Sequence, residues 1–313
     1  MPGTLPAIIA LTGPTAVGKT EVALALAQHL PVTIISMDSA MVYRGLDIGS
    51  AKPDRALLDR YPHALVDIRD PSQPYSAADF VADADEAVRQ ARDAGRLPLL
   101  VGGTMLYLKA FREGLAPMPG ADAQLRARLR DEARSAGWPA LHERLRQLDP
   151  EAAQGIHPNN VARIERALEV CELTGEKMSS FWAATAEHRV EQRLGLPLRE
   201  FAIMPDDRKE LHQRIAGRVD QMLATGLVDE VRTLYQRGDL HPELPAIRAV
   251  GYRQVWAVLD GELAESSLPE KITVATRQLA KRQLTWLRGW GTAQLQWGDS
   301  QRLAARIVQA AAP

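Results

Sequence analysis

The segment Gly13-Pro14-Thr15-Ala16-Val17-Gly18-Lys19-Thr20 constrains this chain more than any other. It matches G-x-x-x-x-G-K-[ST] and lies between an apolar run at residues 7–11 and a helical pattern over 19–30. Glycines there let backbone N–H groups close around phosphate oxygens. The helix N-terminus adds positive potential. Lys19 supplies a mobile cation, and the Thr20 hydroxyl can bind Mg²⁺. The motif points to a bound di- or triphosphate and does not say which.

A chain that opens strand, loop, helix is expected to continue in alternation, and this one does. VTIISM (32–37) reads as a second strand ending at Asp38, and ALVDI (64–68) as a third. Ser76 and Asp79 have capping-box spacing and open a helix to about Ala94, which Gly95 stops. LPLLV (97–101) is another buried strand, followed by Gly102-Gly103-Thr104. The expected fold is α/β: a P-loop-type parallel sheet wrapped by helices, with ligands at the carboxyl ends of the strands. Near Pro117-Met118-Pro119-Gly120 the pattern changes, and from Asp122 to about Arg193 it is only helical. A strand-like REFAIM (199–204) follows Pro197, then helices over 208–223, 227–236 and 271–287. The expected division is a core of 1–116 with 197–313, and an inserted all-helical domain over 117–196.

Composition narrows the function. A net charge of −1 argues against a generally cationic nucleic-acid coat and leaves room for a local basic patch. The one cysteine, Cys171, excludes an internal disulfide and a cysteine zinc site. It sits in the apolar-periodic ALEVCEL and reads as a buried structural thiol. No apolar stretch approaches the roughly 18 residues that span a membrane, and the apolar opening has no basic flank. The expectation is a cytoplasmic monomer with no membrane association and no obligate protein partner.

Three further features bear on chemistry. Asp38, at the end of the second strand, is expected beside the phosphate loop. It could hold Mg²⁺, act as a general base, or cap a turn. The paired glycines before Thr104 allow close backbone approach to a ligand, and Thr104 could cap a helix or donate its hydroxyl to a leaving-group oxygen. Between residues 271 and 298, Lys271, Arg277, Lys281, Arg282 and Arg288 occur with no acidic residue, interleaved with Trp286, Trp290 and Trp297. Such a face could bind a polyanion or simply be solvated; the tryptophans could stack bases or pack the core.

Taken in order, GPTAVGKT, DSAMVYRGLDIGSAKP, VGGTMLYLKA, HPNNVARIERALEV, HQRIAGRVDQMLATGLVDEV, AIRAVGYRQVW and TRQLAKRQLTWLRG resemble the bacterial tRNA dimethylallyltransferases, also called tRNA isopentenyltransferases. These segments span residues 13–289. The resemblance implies that Gly13 to Thr20 grip the diphosphate of dimethylallyl diphosphate, with Mg²⁺ at Thr20. It implies that Asp38 is the general base on the acceptor adenine, and that Thr104 bonds the oxygen bridging the allyl carbon and the phosphate. Arg218 would help hold the diphosphate. The tRNA anticodon stem-loop would be touched by Asp38, Ser39, Ala40 and Met41, by Thr104, and by Arg126. Further contacts would come from Ala162, Arg163, Ile164, Glu165 and Arg166, and from Arg248, Ala249, Val250, Gly251, Tyr252 and Arg253. The last set is Lys281, Arg282, Gln283, Leu284, Thr285, Trp286, Leu287 and Arg288. The helical insertion would grip tRNA.

The chain departs from the family pattern in places. Ser50 stands where many members carry threonine, and Ala40-Met41 replaces a stretch that often bears glutamine. With a single cysteine, the chain is not expected to carry the C-terminal zinc finger of eukaryotic members. Three other readings compete. A P-loop kinase shares the phosphate loop, but LPLLV ends in glycines and not in the aspartate of a Walker-B strand. An isopentenyltransferase acting on free adenine nucleotides would have less use for the long insertion. A non-catalytic RNA-binding module would not need the intact phosphate loop.

Overall fold

The computed structural model describes residues 7–115, 118–183, 188–291 and 293–311. Ala116 and Pro117, at the expected edge of the insertion, lie outside them. The chain divides into two compact units, residues 1–112 with 194–313, and residues 113–193.

The larger unit is built on β1 (Ile8–Thr12), β2 (Val32–Ser36), β3 (His63–Ala64), β4 (Leu97–Val101), β5 (Leu198–Met204) and β6 (Ala293–Gln296). These six strands form one sheet in the order β3-β2-β4-β1-β5-β6, with every pairing parallel. A parallel strand covered on both faces reads as an unbroken apolar run, and β1 is buried at every residue. Because β1 lies between β4 and β5, the chain leaves it to one side and returns on the other. The carboxyl end of β1 is therefore a topological switch point, where a ligand crevice opens.

Helices α1 (Lys19–His29), α2 (Arg55–Arg60), α3 (Ala77–Asp93) and α4 (Met105–Glu113) connect the first strands. The capping box at α3 forms as expected: Asp79 N–H donates to Ser76 Oγ, and Ser76 N–H donates to Asp79 Oδ2. The expected third strand shrinks to two residues, because Leu65 and Asp67 take left-handed conformations at φ 62° and 57° and turn the chain away from the sheet.

The smaller unit is all helical. It contains α5 (Ala123–Ala136), α6 (Trp138–Leu148), α7 (Pro150–Gly155), α8 (Val161–Thr174), α9 (Met178–Ala183) and α10 (Val190–Leu194), the last ending at its edge. Leu129, Leu141, Leu145, Ile164 and Leu168 share its core. Fully buried Asp149 caps α7 at Ala152 and accepts from both the N–H and the hydroxyl of Ser179. Cys171 packs half-buried beside this core, and burial raises its thiol pKa.

After β5 come α11 (Arg208–Ala224), α12 (Leu227–Tyr235), α13 (Tyr252–Leu259), α14 (Leu268–Arg288) and α15 (Ser300–Ala311). β6, α13 and α15 were not anticipated. α15 packs on α1 through Leu303, Ala304 and Ile307, closing one face of the sheet. No helix among the described residues is long and apolar enough to cross a membrane.

Candidate active site

The loop after β1 is shaped by backbone demands. A Cβ at Gly13 would lie 2.8 Å from the Ile203 carbonyl oxygen of neighbouring β5, so only glycine fits. Gly18 takes a left-handed φ of 93° just before α1. Ala16 sits at φ 64° without being glycine, a local strain of the kind that clusters at ligand sites. Lys19 curls back over the loop, donating from Nζ to the carbonyls of Gly13 (3.1 Å) and Pro14 (2.8 Å). Burial lowers its pKa to about 8; Asp38 opposes that shift and Arg218 adds to it. Burial also lowers the pKa of Arg218 on α11, and Asp38 again opposes it. Lys19, Arg218 and Asp38 thus share one electrostatic neighbourhood, although they come from three separate elements.

One cation here escaped the sequence reading. Arg214, one helical turn before Arg218, donates from Nε to the Ala16 carbonyl at 2.9 Å and stacks its guanidinium over Trp297 at 4.6 Å. The i, i+4 spacing of Arg214 and Arg218 on one helix face was the available signal.

Asp38 follows β2, which lies one strand beyond β4 from β1, at the same edge of carboxyl ends. Its Oδ1 accepts from the N–H groups of Ala40 (2.8 Å) and Met41 (3.3 Å). Oδ2 has no hydrogen-bond partner among the described residues. Thr104 Oγ1 accepts from Ser39 N–H at 3.1 Å, so the Gly-Gly-Thr loop is tied to the residue beside Asp38. This closeness needs Gly102, whose Cβ would lie 2.0 Å from the Met37 carbonyl oxygen.

The loop beyond Asp38 is clasped from α12. Glu230 accepts from the N–H groups of Asp47, Ile48 and Gly49, and from the Tyr252 hydroxyl at 2.6 Å. Lys52, nearly buried, bridges Asp47 and Asp67 at 2.5 Å each and donates to the Tyr43 carbonyl. Below lies an aromatic floor in which Phe80 stacks on Tyr107 at 4.5 Å and Tyr75 meets Tyr107 edge-on. None of Glu230, Lys52 or this floor was singled out from sequence.

The structure narrows the expected RNA-contact stretches. Ser39, Arg248 and Arg253 are exposed, and Ala249 and Val250 half-buried, whereas Gly251 and Tyr252 are buried. The Tyr252 ring is engaged by Glu230 and packed against Gly49, so it offers no face to a base. On α14, Lys281, Arg282, Thr285 and Arg288 face outward, while Gln283, Leu284 and Leu287 are buried. Trp286 packs half-buried against Trp290, whose indole N–H donates to Glu200 and whose ring lies under Arg112. Trp297 packs on the core. The three tryptophans therefore serve packing.

Within the helical unit, Ala162 and Arg163 are exposed, Ile164 is buried, and buried Glu165 is paired with Arg130. Arg126 and Arg166 both bind Glu169, a carboxylate with no exposure. As direct RNA contacts, Ile164, Glu165, Gly251, Tyr252, Gln283, Leu284 and Leu287 are set aside on burial.

Among the described residues, no group of three or more His, Cys, Asp or Glu converges as a metal cage. Mg²⁺ keeps most of its shell as water and phosphate oxygens, so it needs few protein ligands. Exposed Thr20, at the first turn of α1, and the unpartnered Oδ2 of Asp38 fit that need.

The IPP transferase family model matches residues 41–290. A tRNA dimethylallyltransferase of Alkalilimnicola ehrlichii is 57% identical over 287 residues, covering 92% of this chain and 89% of its own. The tRNA dimethylallyltransferase 2 of Hahella chejuensis is 54% identical over 315 residues, covering 97% and 94%. Among solved structures, the full-length tRNA isopentenylpyrophosphate transferase of Bacillus halodurans superposes with a TM-score of 0.70 at 36% identity, covering 98% of this chain and 97% of that one. A eukaryotic dimethylallyltransferase described as acting on tRNA gives a TM-score of 0.78 at 25% identity, covering 98% of this chain and 80% of that one.

Proposed function

The chain belongs to the IPP transferase family, and from that premise we infer that it transfers the dimethylallyl group of dimethylallyl diphosphate to N6 of an adenosine in tRNA. The acceptor is the adenosine immediately 3′ of the anticodon, in tRNAs reading codons that begin with U. The observation that carries the reading is a phosphate loop and a carboxylate at the carboxyl ends of β1 and β2, which flank β4 in one parallel sheet, with Asp38 acting electrostatically on both Lys19 and Arg218.

The chemistry follows from that arrangement. The N6 lone pair is delocalised into the purine ring, so the amine is a poor nucleophile. As the N–C bond forms, the allylic C–O bond breaks and its electron pair goes to the bridging oxygen of the diphosphate. The N6 proton passes to Oδ2 of Asp38, the oxygen without a partner, a contribution of about 10²–10⁴-fold. Oδ1, held by two backbone N–H groups, keeps the carboxylate oriented. Thr104, adjacent through Ser39, donates to the bridging oxygen. The loop amides, Lys19 and Arg218 stabilise the departing charge. When bound, Mg²⁺ would be held at Thr20 and would neutralise part of the diphosphate charge. The adenine must leave its stack, at a cost of a few kcal/mol that is smallest in a single-stranded loop. Lys281, Arg282 and Arg288, exposed and without an acidic partner among the described residues, would attract the anticodon stem-loop phosphates.

A transfer assay tests the reading, with radiolabelled dimethylallyl diphosphate, Mg²⁺, and unmodified tRNA, AMP and ATP as parallel acceptors. Label in tRNA alone is the expected result. Label in AMP or ATP would assign a free-nucleotide acceptor, and phosphate transfer from ATP without prenylation would assign a kinase.

A further inference from the structure

Gln283 follows exposed Lys281 and Arg282, yet it is only 6% exposed itself. Its Oε1 accepts from Thr15 N–H at 2.9 Å, and its Nε2 donates to the Gly103 carbonyl at 2.9 Å. One amide therefore spans from the phosphate loop to the Gly-Gly-Thr loop, two segments about 90 residues apart that come together only at the carboxyl ends of β1 and β4. The fit is tight from both sides. A Cβ at Gly103 would lie 2.4 Å from Gln283 Nε2 and 3.4 Å from the Gly13 carbonyl oxygen. The amide is carried on α14, a 21-residue helix whose Ala280, Leu284 and Leu287 are buried beside it, so its position is rigid.

We propose that Gln283 is a positioning residue of the transfer reaction, holding the phosphate loop and the Thr104 loop in register. This rests on the transferase reading above. One consequence is that the Thr15 N–H is occupied by Gln283 and is not one of the amides facing the diphosphate. The reaction needs the leaving oxygen, set by the phosphate loop, and the acceptor amine, set beside Asp38 and Thr104, in line across the allylic carbon. Misplacement by about 1 Å can cost on the order of 10²-fold in rate. The Gln283 amide both accepts from Thr15 and donates to Gly103, which neither a carboxylate nor a thioether of similar length does. Glutamate keeps the first bond and turns lone pairs toward the Gly103 carbonyl. Methionine fills the space and makes neither bond.

The test compares wild type, Gln283→Met and Gln283→Glu in full-length protein, each normalised by the folded fraction from a thermal melt. Steady-state transfer to unmodified tRNA gives kcat and KM, and filter binding gives tRNA affinity. The expected result is that Gln283→Met lowers kcat by about 10–100-fold, with tRNA affinity within about twofold of wild type. Gln283→Glu, which keeps the Thr15 bond but sets a carboxylate against the Gly103 carbonyl, should also lower kcat. An unchanged kcat in both variants would overturn the proposal. So would a weaker tRNA affinity at unchanged kcat, which makes Gln283 an RNA contact, or a lower melting temperature at unchanged kcat per folded molecule, which makes it structural only. A wild-type protein that prenylates no tRNA would count instead against the transferase reading.

Discussion

On the side proposed to hold the diphosphate, eight consecutive residues form one loop, and much of its bonding is backbone: Gly13 and Pro14 present carbonyls to Lys19, and Ala16 presents one to Arg214. On the proposed acceptor side, Asp38, Thr104, Glu230 and Tyr252 come from four distant segments and act through side-chain oxygens. A backbone-built half resists most side-chain exchange, whereas a side-chain-built half depends on each atom. Substitutions on the two sides should therefore differ in size and in the parameter they move.

The largest effect belongs to the acceptor side. Asp38→Ala is expected to lower turnover by at least about a hundredfold while leaving tRNA affinity nearly unchanged, read by single-turnover kinetics and filter binding. Turnover at the wild-type rate would remove Asp38 from the base role and erase the contrast between the halves. Next comes the outer face of α14. Lys281→Ala with Arg282→Ala should weaken tRNA binding and reduce the slope of log affinity against log salt by about 1–2. An unaltered slope would return that face to plain solvation. Smaller again is Glu230→Ala, which frees the 47–49 backbone from its clasp. It should raise KM for tRNA by roughly tenfold, the loss of charge-assisted hydrogen bonds, without changing diphosphate affinity. A change in diphosphate affinity instead would show that the halves are not separable.

The diphosphate side should answer to pH more than to most substitutions. Burial holds the pKa of Lys19 near 8 in the free protein, so its ammonium is present below that pH and lost above it. Diphosphate affinity should fall as pH rises through about 8, and binding near that pH should take up a proton. Calorimetry in buffers of differing ionisation enthalpy reads this directly. Thr15→Ala, at a residue held through its backbone N–H, should change diphosphate affinity by less than about twofold and so marks the bottom of the range.

The same contrast explains what could be read from sequence. A phosphate loop is contiguous, so its residues announce one another. β1, β2 and β4 were legible as short apolar runs because parallel strands are buried on both faces. The turn at Leu65 and Asp67 carries only a weak mark, since Asp67 tolerates a left-handed backbone but Leu65 does not favour one. β6, AQLQ, buries only Leu295 and owes its place to β5 ninety residues earlier. On α14 a signal existed. Helical periodicity already puts residues 280, 284 and 287 on one face, with 283 beside them, and 281, 282, 285 and 288 on the other. Arg126 is different: its partner Glu169 lies 43 residues away, and only folding of the helical unit reveals the pairing.

The placement of β1 between β4 and β5 also bears on how the protein is made. β1 leaves the ribosome well before its neighbour β5, which begins only at Leu198. At about 5–20 residues per second, a bacterial-type synthesis rate, the gap amounts to roughly 10–40 s. Through that interval the edge formed by Ile8 to Thr12, apolar and unpaired on one side, is a template for any other extended chain. Translation speed and chaperone supply over this interval should therefore govern the yield of active protein more than the stability of the finished sheet does.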